Sequence, residues 1–246
     1  MSSIVAKYLL NRYNKFVMEF VSINKLTLLD YPEKVACVLY TQACNFQCPY
    51  CHNYETLVKG NVPQIPFDEI LSFLKKRVGI LDGVVISGGE PTLMKDLPEK
   101  IKKIKELGYL VKLDTNGSNP EMLKSLIDEK LIDYVSMDIK HSFNKIYDII
   151  INRSIDINLL RQSIEILKED KVDYEFRTTL IEEYHDIDSI YEIGKLLEGS
   201  KRLFLQQFKV SDGVPNKELH EVKEETAKKY MDILSQYVKD VDLRGY

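Results

Sequence analysis

Lys34-Val35-Ala36-Cys37-Val38-Leu39-Tyr40 runs directly into Thr41-Gln42-Ala43-Cys44-Asn45-Phe46-Gln47-Cys48-Pro49-Tyr50-Cys51-His52-Asn53. The first seven residues form a short apolar, β-branched run and predict a strand buried on both faces. The loop after it carries three of the chain's 4 cysteines, spaced Cys-x3-Cys-x2-Cys. Thiolates this close in sequence can meet on one metal centre without help from distant chain. A structural zinc site takes four closed ligands, and no second cysteine or histidine pair follows at finger spacing. An iron–sulfur cubane held by three thiolates instead keeps one iron open to a ligand. A zinc knuckle and a structural disulfide are the plainer alternatives. Cys37 lies roughly 20 Å of extended chain before Cys44 and reads as core filler, since free cysteine is among the most buried residue types.

From Lys34 onward, strands and helices alternate. Further strands are predicted at Gly83 to Ser87, Leu110 to Asp114, Ile132 to Asp138, Asp173 to Thr179 and Arg202 to Phe208. Amphipathic helices fill the intervals, around Phe67 to Leu74, Asp96 to Gly108, from Asn119-Pro120, Leu160 to Leu167, Ile187 to Leu197 and Ala227 to Val238. Such alternation implies parallel strands joined by right-handed crossovers. The unusual residues then fall at the C-terminal ends of strands, the rim on which α/β barrels build their sites. Cys44, Cys48 and Cys51 follow the first strand; Ser87, Gly88, Gly89 and Glu90 the second; Asp114, Thr115 and Asn116 the third. Asp138, Ile139 and Lys140 follow the fourth, Arg177 and Thr179 close the fifth, and Gln207 and Phe208 the sixth. Glycines let a ligand approach backbone closely, and a carboxylate holds an ammonium group. The two acidic strand ends suit acid–base work, sugar hydroxyls or a cation. Arg177 is placed to pair with Asp138 or with a ligand's carboxylate.

Composition narrows the classes. The chain has 246 residues, 44% hydrophobic, with a net charge of −4, enough for one large core. The run Lys100-Ile101-Lys102-Lys103-Ile104-Lys105 alternates with core positions and reads as a solvated helix face, so nucleic acid is not an expected partner. No stretch reaches the roughly 18 apolar residues of a membrane span, and one tight cysteine cluster points to a reducing, cytoplasmic compartment. Residues 1–17 read as an amphipathic helical extension, packing or dispensable, without the apolar core and cleavage site of a secretory signal. Residues 18–246 read as one domain. His141, His185 and His220 have no motif around them and are expected at the surface. Val241-Asp242-Leu243-Arg244-Gly245-Tyr246 reads as a frayed tail.

The cysteine spacing, with an aromatic residue before the third cysteine, resembles the radical S-adenosylmethionine superfamily. Cys48-Pro49-Tyr50-Cys51-His52-Asn53 resembles the version carried by activating enzymes of glycyl-radical proteins. With Leu26-Thr27-Leu28-Leu29-Asp30-Tyr31-Pro32 ahead of it, the match is nearest to activating enzymes of anaerobic ribonucleoside-triphosphate reductase. That resemblance implies a partial (β/α)6 barrel with parallel strands, open on one side to a large substrate. It implies a [4Fe–4S] cluster on Cys44, Cys48 and Cys51, with S-adenosylmethionine chelating the open iron. Ser87-Gly88-Gly89-Glu90 would grip the methionine amino group, and Tyr50, Cys51, His52 and Asn53 would lie along the adenine. Asp114-Thr115-Asn116 and Asp138-Ile139-Lys140 would contact the cofactor and help hold a monovalent cation, Lys140 neutralising the cofactor's carboxylate. Related enzymes often carry a histidine near the sixth strand end. Phe208 would stack on the adenine there without a histidine's hydrogen bond. The implied reaction is one-electron cleavage to a 5′-deoxyadenosyl radical, driven by a flavodoxin or ferredoxin-type donor, then abstraction of a glycine hydrogen from a glycyl-radical enzyme. Two alternatives are a radical enzyme acting on a small molecule such as a deazapurine precursor, and a non-enzymatic metal-binding module. Arg244-Gly245-Tyr246 also resembles the glycine-radical segment of the partner proteins, a coincidence in a terminal tail.

Overall fold

A computed structural model describes residues 19–54 and 62–246. The extension expected at 1–17 lies outside the described residues. One sheet runs β1 (Phe20–Thr27), β2 (Ala36–Thr41), β3 (Gly83–Gly88), β4 (Leu110–Thr115), β5 (Tyr134–Asp138), β6 (Asp173–Leu180), β7 (Arg202–Gln207) and β8 (Asp240–Arg244), in that spatial order. β1 is antiparallel to β2, and every later pair is parallel. All six strands expected from the sequence are present, each with bounds within two residues of those expected. The sheet gains one strand at each end. β1 and β8 are its two edges, so the barrel stays open between them.

The helices are α1 (Phe67–Lys75), α2 (Leu97–Lys105), α3 (Pro120–Asp128), α4 (Ile146–Ile151), α5 (Ile157–Lys168), α6 (Ile187–Leu196) and α7 (Glu224–Leu234). Local chemistry sets their starts. Asn119 accepts from the Met122 amide with Pro120 at the first turn, and Asp186 with Ser189 forms a reciprocal capping box. No helix among the described residues is long and apolar enough to cross a membrane.

Strand alternation divides the sheet into two faces. Cys37, Leu39, Val84, Ile86, Val111, Leu113, Val135, Met137 and Phe176 form the main core with helix residues such as Leu74, Ile101 and Ile164. Cys37 is therefore core, as expected. The inner face is different. Tyr31, Ala36, Val38, Val85 and Tyr134 pack together at one level, but β4 to β6 turn charged groups inward. The register places Asp114 beside Ser136, Ser136 beside Glu175, and Asp138 beside Arg177.

β8 corrects the reading of the C-terminus as a frayed tail. Arg244 forks onto buried Glu175 with two 2.8 Å hydrogen bonds, and its guanidinium lies 3.4 Å from the Phe204 ring centre. Tyr134 and Ser136 hydroxyls bond the same carboxylate. Burial opposes the Glu175 charge, but Arg244 outweighs it and holds the carboxyl below its ordinary range.

Two histidines also depart from expectation. His141 and His185 are buried, with ring centres 5.6 Å apart, while His220 is exposed. His185 Nδ1 accepts from the Ile181 amide at 3.0 Å, and Nε2 donates to the Lys140 carbonyl at 3.2 Å. Burial first, then neighbouring His141, push the His185 imidazole down to about 4. Its folded pKa thus lies below the unfolded value of about 6.5. Stability is complete above that pH and falls as the unfolded chain alone takes up the proton, between about 6.5 and about 4. The expected loss is about 3 kcal/mol by the lower limit. Denaturant unfolding at pH 7 and pH 4.5 should show most of it, and His185→Gln should remove that part of the slope.

Candidate functional site

The cysteine loop is fixed at both ends by backbone bonds. It leaves β2 at Thr41, whose carbonyl accepts from Gly89 N at 2.9 Å; Ala43 O accepts from Glu90 N at 2.8 Å. Further on, Gln47 N donates to Ile151 O at 2.8 Å, and Asn216 N to Pro49 O at 2.9 Å. Gly88 has φ +116°, and a Cβ there would meet Thr41 backbone at 2.5 Å; at Gly89 it would lie 1.8 Å from Ala43 O. These glycines therefore admit the cysteine loop's own backbone on one side, and both also line the cavity.

A cavity of about 460 Å³ opens at these strand ends. One wall carries Cys44, Cys48, Tyr50, Cys51, His52 and Asn53. Ser87, Gly88, Gly89, Thr115 and Asn116 form a second, and Asp114, Asp138, Lys140 and Arg177 a third. Glu90, Ile139 and Phe208 do not line it; all three are fully buried. Glu90 accepts from Thr92 N, Thr92 Oγ1 and Thr115 Oγ1 on Oε1 and from Asn116 N on Oε2, at 2.6–3.1 Å, and so orders the Thr115–Asn116 turn. Phe208 stands behind His52, ring centres 5.8 Å apart, and His52 Nδ1 is 3.1 Å from Ser211 Oγ. Sequence reading missed Asp30, Val38, Tyr40 and Gln206 in the lining. Tyr40 and Val38 share a β2 face, so alternation was the signal available.

All four cysteines are free. Phe46 N donates to Cys44 Sγ at 3.4 Å, and Asn116 Nδ2 lies 3.8 Å from the same sulfur. Burial pushes the Cys44 thiol up to about 12 and Cys48 to about 11, and raises Cys51. Buried thiols of this kind ionise when a metal binds them, because coordination deprotonates the sulfur outright. Among the described residues no three His, Cys, Asp or Glu side chains converge as around a single ion.

The facing wall is a charge ladder. Lys112 pairs with Asp114, Arg177 bridges Asp114 (3.3 Å) and Asp138 (2.9 Å), and Lys140 bonds Asp138 at 2.8 Å. Ser87 Oγ donates to Asp114 at 3.0 Å. Burial opposes both Asp charges, but Arg177 outweighs it first and the lysines next, holding Asp138 near about 2 and Asp114 below its usual value. Burial likewise opposes the Lys140 charge, yet Asp138 raises its pKa. Lys140 and Arg177 are the cations that reach the cavity, each paired with Asp114 or Asp138, while Lys112 is buried outside its lining. The volume fits a nucleoside-sized ligand.

Residues 38–194 match the family model of the Radical SAM superfamily. A Methanocaldococcus jannaschii protein named as a candidate glycyl-radical enzyme activating enzyme is 35% identical over 228 residues, covering 89% of this chain and 92% of its own. The pyruvate formate-lyase-activating enzyme of Clostridium pasteurianum is 32% identical over 125 residues, 49% of this chain and 51% of that one. In fold, the chain is similar to Streptococcus suis SuiB bound to S-adenosylmethionine, with TM-score 0.66 and 14% identity; the match covers 83% of this chain and 48% of SuiB.

Proposed function

Since the chain belongs to the radical S-adenosylmethionine superfamily, we propose that it is the activating enzyme of a glycyl-radical protein, with anaerobic ribonucleotide reductase as the partner. Membership implies a [4Fe–4S] cluster and S-adenosylmethionine, and the site's chemistry fits both. Three free thiols, Cys48 buried and Cys44 and Cys51 half-buried, stand on one wall, and Lys140 and Arg177 on the facing wall suit a carboxylate. Cys44, Cys48 and Cys51 would hold the cluster. Lys140 and Arg177 would face the methionine carboxylate; the backbone of Gly88 and Gly89, rather than the Glu90 side chain, would meet the amino group. When bound, cluster and cofactor supply one-electron cleavage to a 5′-deoxyadenosyl radical, which takes a hydrogen atom from substrate.

The chain's own residues position and shield. Asp114 and Asp138 keep Arg177 and Lys140 charged and in place, so that proximity rather than proton transfer makes the main contribution. Phe46 and Tyr50 keep water from the thiols. His52, whose Nδ1 lies 3.1 Å from Ser211 Oγ, is assigned to cofactor contact with no proton-transfer role. A monovalent cation at the Asp114 and Asp138 carboxylates, and a flavodoxin or ferredoxin-type donor, belong to the same proposal. The gap between β1 and β8 supports entry of a protein segment into the barrel.

The observation that carries the reading is the pairing of three thiols with the charge ladder across one cavity. The test is anaerobic reconstitution with iron and sulfide, then dithionite and S-adenosylmethionine. Release of 5′-deoxyadenosine, followed by a glycine-centred doublet in electron spin resonance on adding the reductase, is expected. Reconstituted protein that releases none is a binding module. Release without the doublet on any glycyl-radical protein points to a small-molecule substrate.

A further inference from the structure

The polar groups that line the cavity divide by whether they already have partners. Ser87, Asp114, Asp138, Lys140 and Arg177 are bonded to one another, and Thr115 and Asn116 are bonded to Glu90. Outside the cysteine loop, Tyr40, Thr179 and Gln206 also line the cavity and are half-buried. Among the described residues, none of these three side chains makes a hydrogen bond or an ion pair.

Their placement follows from strand alternation. Tyr40 stands two residues beyond Val38 on the inner face of β2, and Thr179 two residues beyond Arg177 on β6. Thr179 and Gln206 are register partners, so they stand side by side on one face. β2 adjoins the edge strand β1, and β7 adjoins the other edge strand, β8. Tyr40 and Gln206 are therefore one strand in from either side of the gap, with Thr179 next to Gln206. The charge ladder, on β4 to β6, belongs to the middle of the sheet.

The chemistry of the three is neutral and two-sided. A primary amide carries two donors and an acceptor, and a hydroxyl both donates and accepts. The charged group on this side is Asp30, which lines the cavity and whose charge reaches Tyr40. It accepts from Thr27 Oγ1 at 2.6 Å and makes no ion pair among the described residues. A carboxylate there repels an anionic ligand, and a phosphate or carboxylate would find no cation to hold it. A polypeptide backbone offers one donor and one acceptor at each residue, which is what these groups match.

We propose that Tyr40, Thr179 and Gln206 form a subsite for the backbone of a polypeptide segment entering between β1 and β8, and so select a protein substrate over an anionic small molecule. The inference rests on the activating-enzyme reading above. A segment lying over these groups strips them of water, so each has to be matched by a peptide group or the complex is weakened.

The test uses the anaerobically reconstituted protein with S-adenosylmethionine. The probe is a fluorescent peptide spanning the radical glycine of anaerobic ribonucleotide reductase, its binding read by anisotropy. Gln206→Leu and Tyr40→Phe should each weaken the peptide about tenfold, the order expected when a covered polar group is left unpaired. The S-adenosylmethionine concentration at half-maximal cleavage should stay where it is. With whole reductase as substrate, the same variants should raise its KM about tenfold and keep kcat for radical formation. Depsipeptides, each with one backbone N–H replaced by an ester oxygen, test recognition of the backbone itself. At one position or more, the affinity lost through the ester should vanish in Gln206→Leu. Gln206→Glu, equal in size but without the donors, should also weaken the peptide, and it decides the matter if Gln206→Leu does not fold. Peptide affinity unmoved by these changes, or a loss of S-adenosylmethionine affinity in its place, overturns this inference and leaves the enzyme assignment standing. An unmodified chain that cleaves S-adenosylmethionine but binds no peptide does the same. Failure of the unmodified chain to cleave S-adenosylmethionine overturns the assignment itself.

Discussion

Gly89→Ala should leave the protein without a cluster and cut 5′-deoxyadenosine release by more than about a hundredfold, the order expected when catalytic groups are displaced by an ångström. The added Cβ would lie 1.8 Å from Ala43 O and 2.5 Å from Ala43 C. Both neighbours are backbone, so no side chain can swing aside. The separation is also set by two bonds that straddle the contact, Gly89 N to Thr41 O and Glu90 N to Ala43 O. Relief requires breaking at least one, and Ala43 directly precedes Cys44. Glu90 would move too, taking with it the Thr115 hydroxyl and Asn116 amide that it orders. Gly108→Ala is the matched control. Its φ is +89°, but nothing lies within 4 Å of the added atom. It should cost about 1 kcal/mol of stability and leave iron content unchanged. Iron analysis and the cleavage assay on both variants decide the point; a fully loaded Gly89→Ala protein would refute it.

The same glycines show how far the sequence could be read. Gly88-Gly89 after a strand says that something approaches backbone closely, and that is so. It cannot say that the visitor is the chain itself. The six inner strands were legible because each is a short apolar run whose outer face meets helices, a pattern with a direct cause in burial. β1 and β8 were not, and for one reason. Edge strands need no continuous apolar run, and in Asp240-Val241-Asp242-Leu243-Arg244 only Val241 and Leu243 touch the main core. The inner face of this barrel is polar, so Arg244 looked like a tail residue until Glu175 was seen opposite it. His141 and His185 failed similarly. Their partners are largely backbone atoms, such as Tyr184 O and Lys140 O, which no motif announces. Arg177 was the opposite case. A charge ending an apolar strand has to be paired, and its pairing with Asp138 could be expected from sequence.

That pairing yields the second large effect. Arg177→Met should destabilise the fold by about 4 kcal/mol at neutral pH, within the 3–5 kcal/mol typical of removing one partner from a buried ion pair. Arg177 is only 14% exposed and serves two carboxylates at once, Asp114 at 3.3 Å and Asp138 at 2.9 Å. Without it, Asp114 keeps Lys112 and Asp138 keeps Lys140, but each loses its largest favourable partner, and the two acids face each other across the gap. The pH dependence distinguishes this from lost packing. In the unmodified chain both carboxyls have folded pKa values below their unfolded values, so their contribution is present above about pH 4. It is lost as the pH falls toward about 2, the folded value of Asp138. In Arg177→Met the folded values rise, and the carboxyls can take up protons instead of staying charged and unpaired. The stability gap between the two proteins should therefore be widest at pH 7 and narrow as the pH falls toward 4. Arg177→Lys restores the charge but, without the fork, can bond one acid well rather than two, so it should recover part of the loss. Urea unfolding of the three proteins at pH 7 and pH 4.5 measures this directly. A gap that does not change with pH would mean that Arg177 acts through its packing and not through its charge.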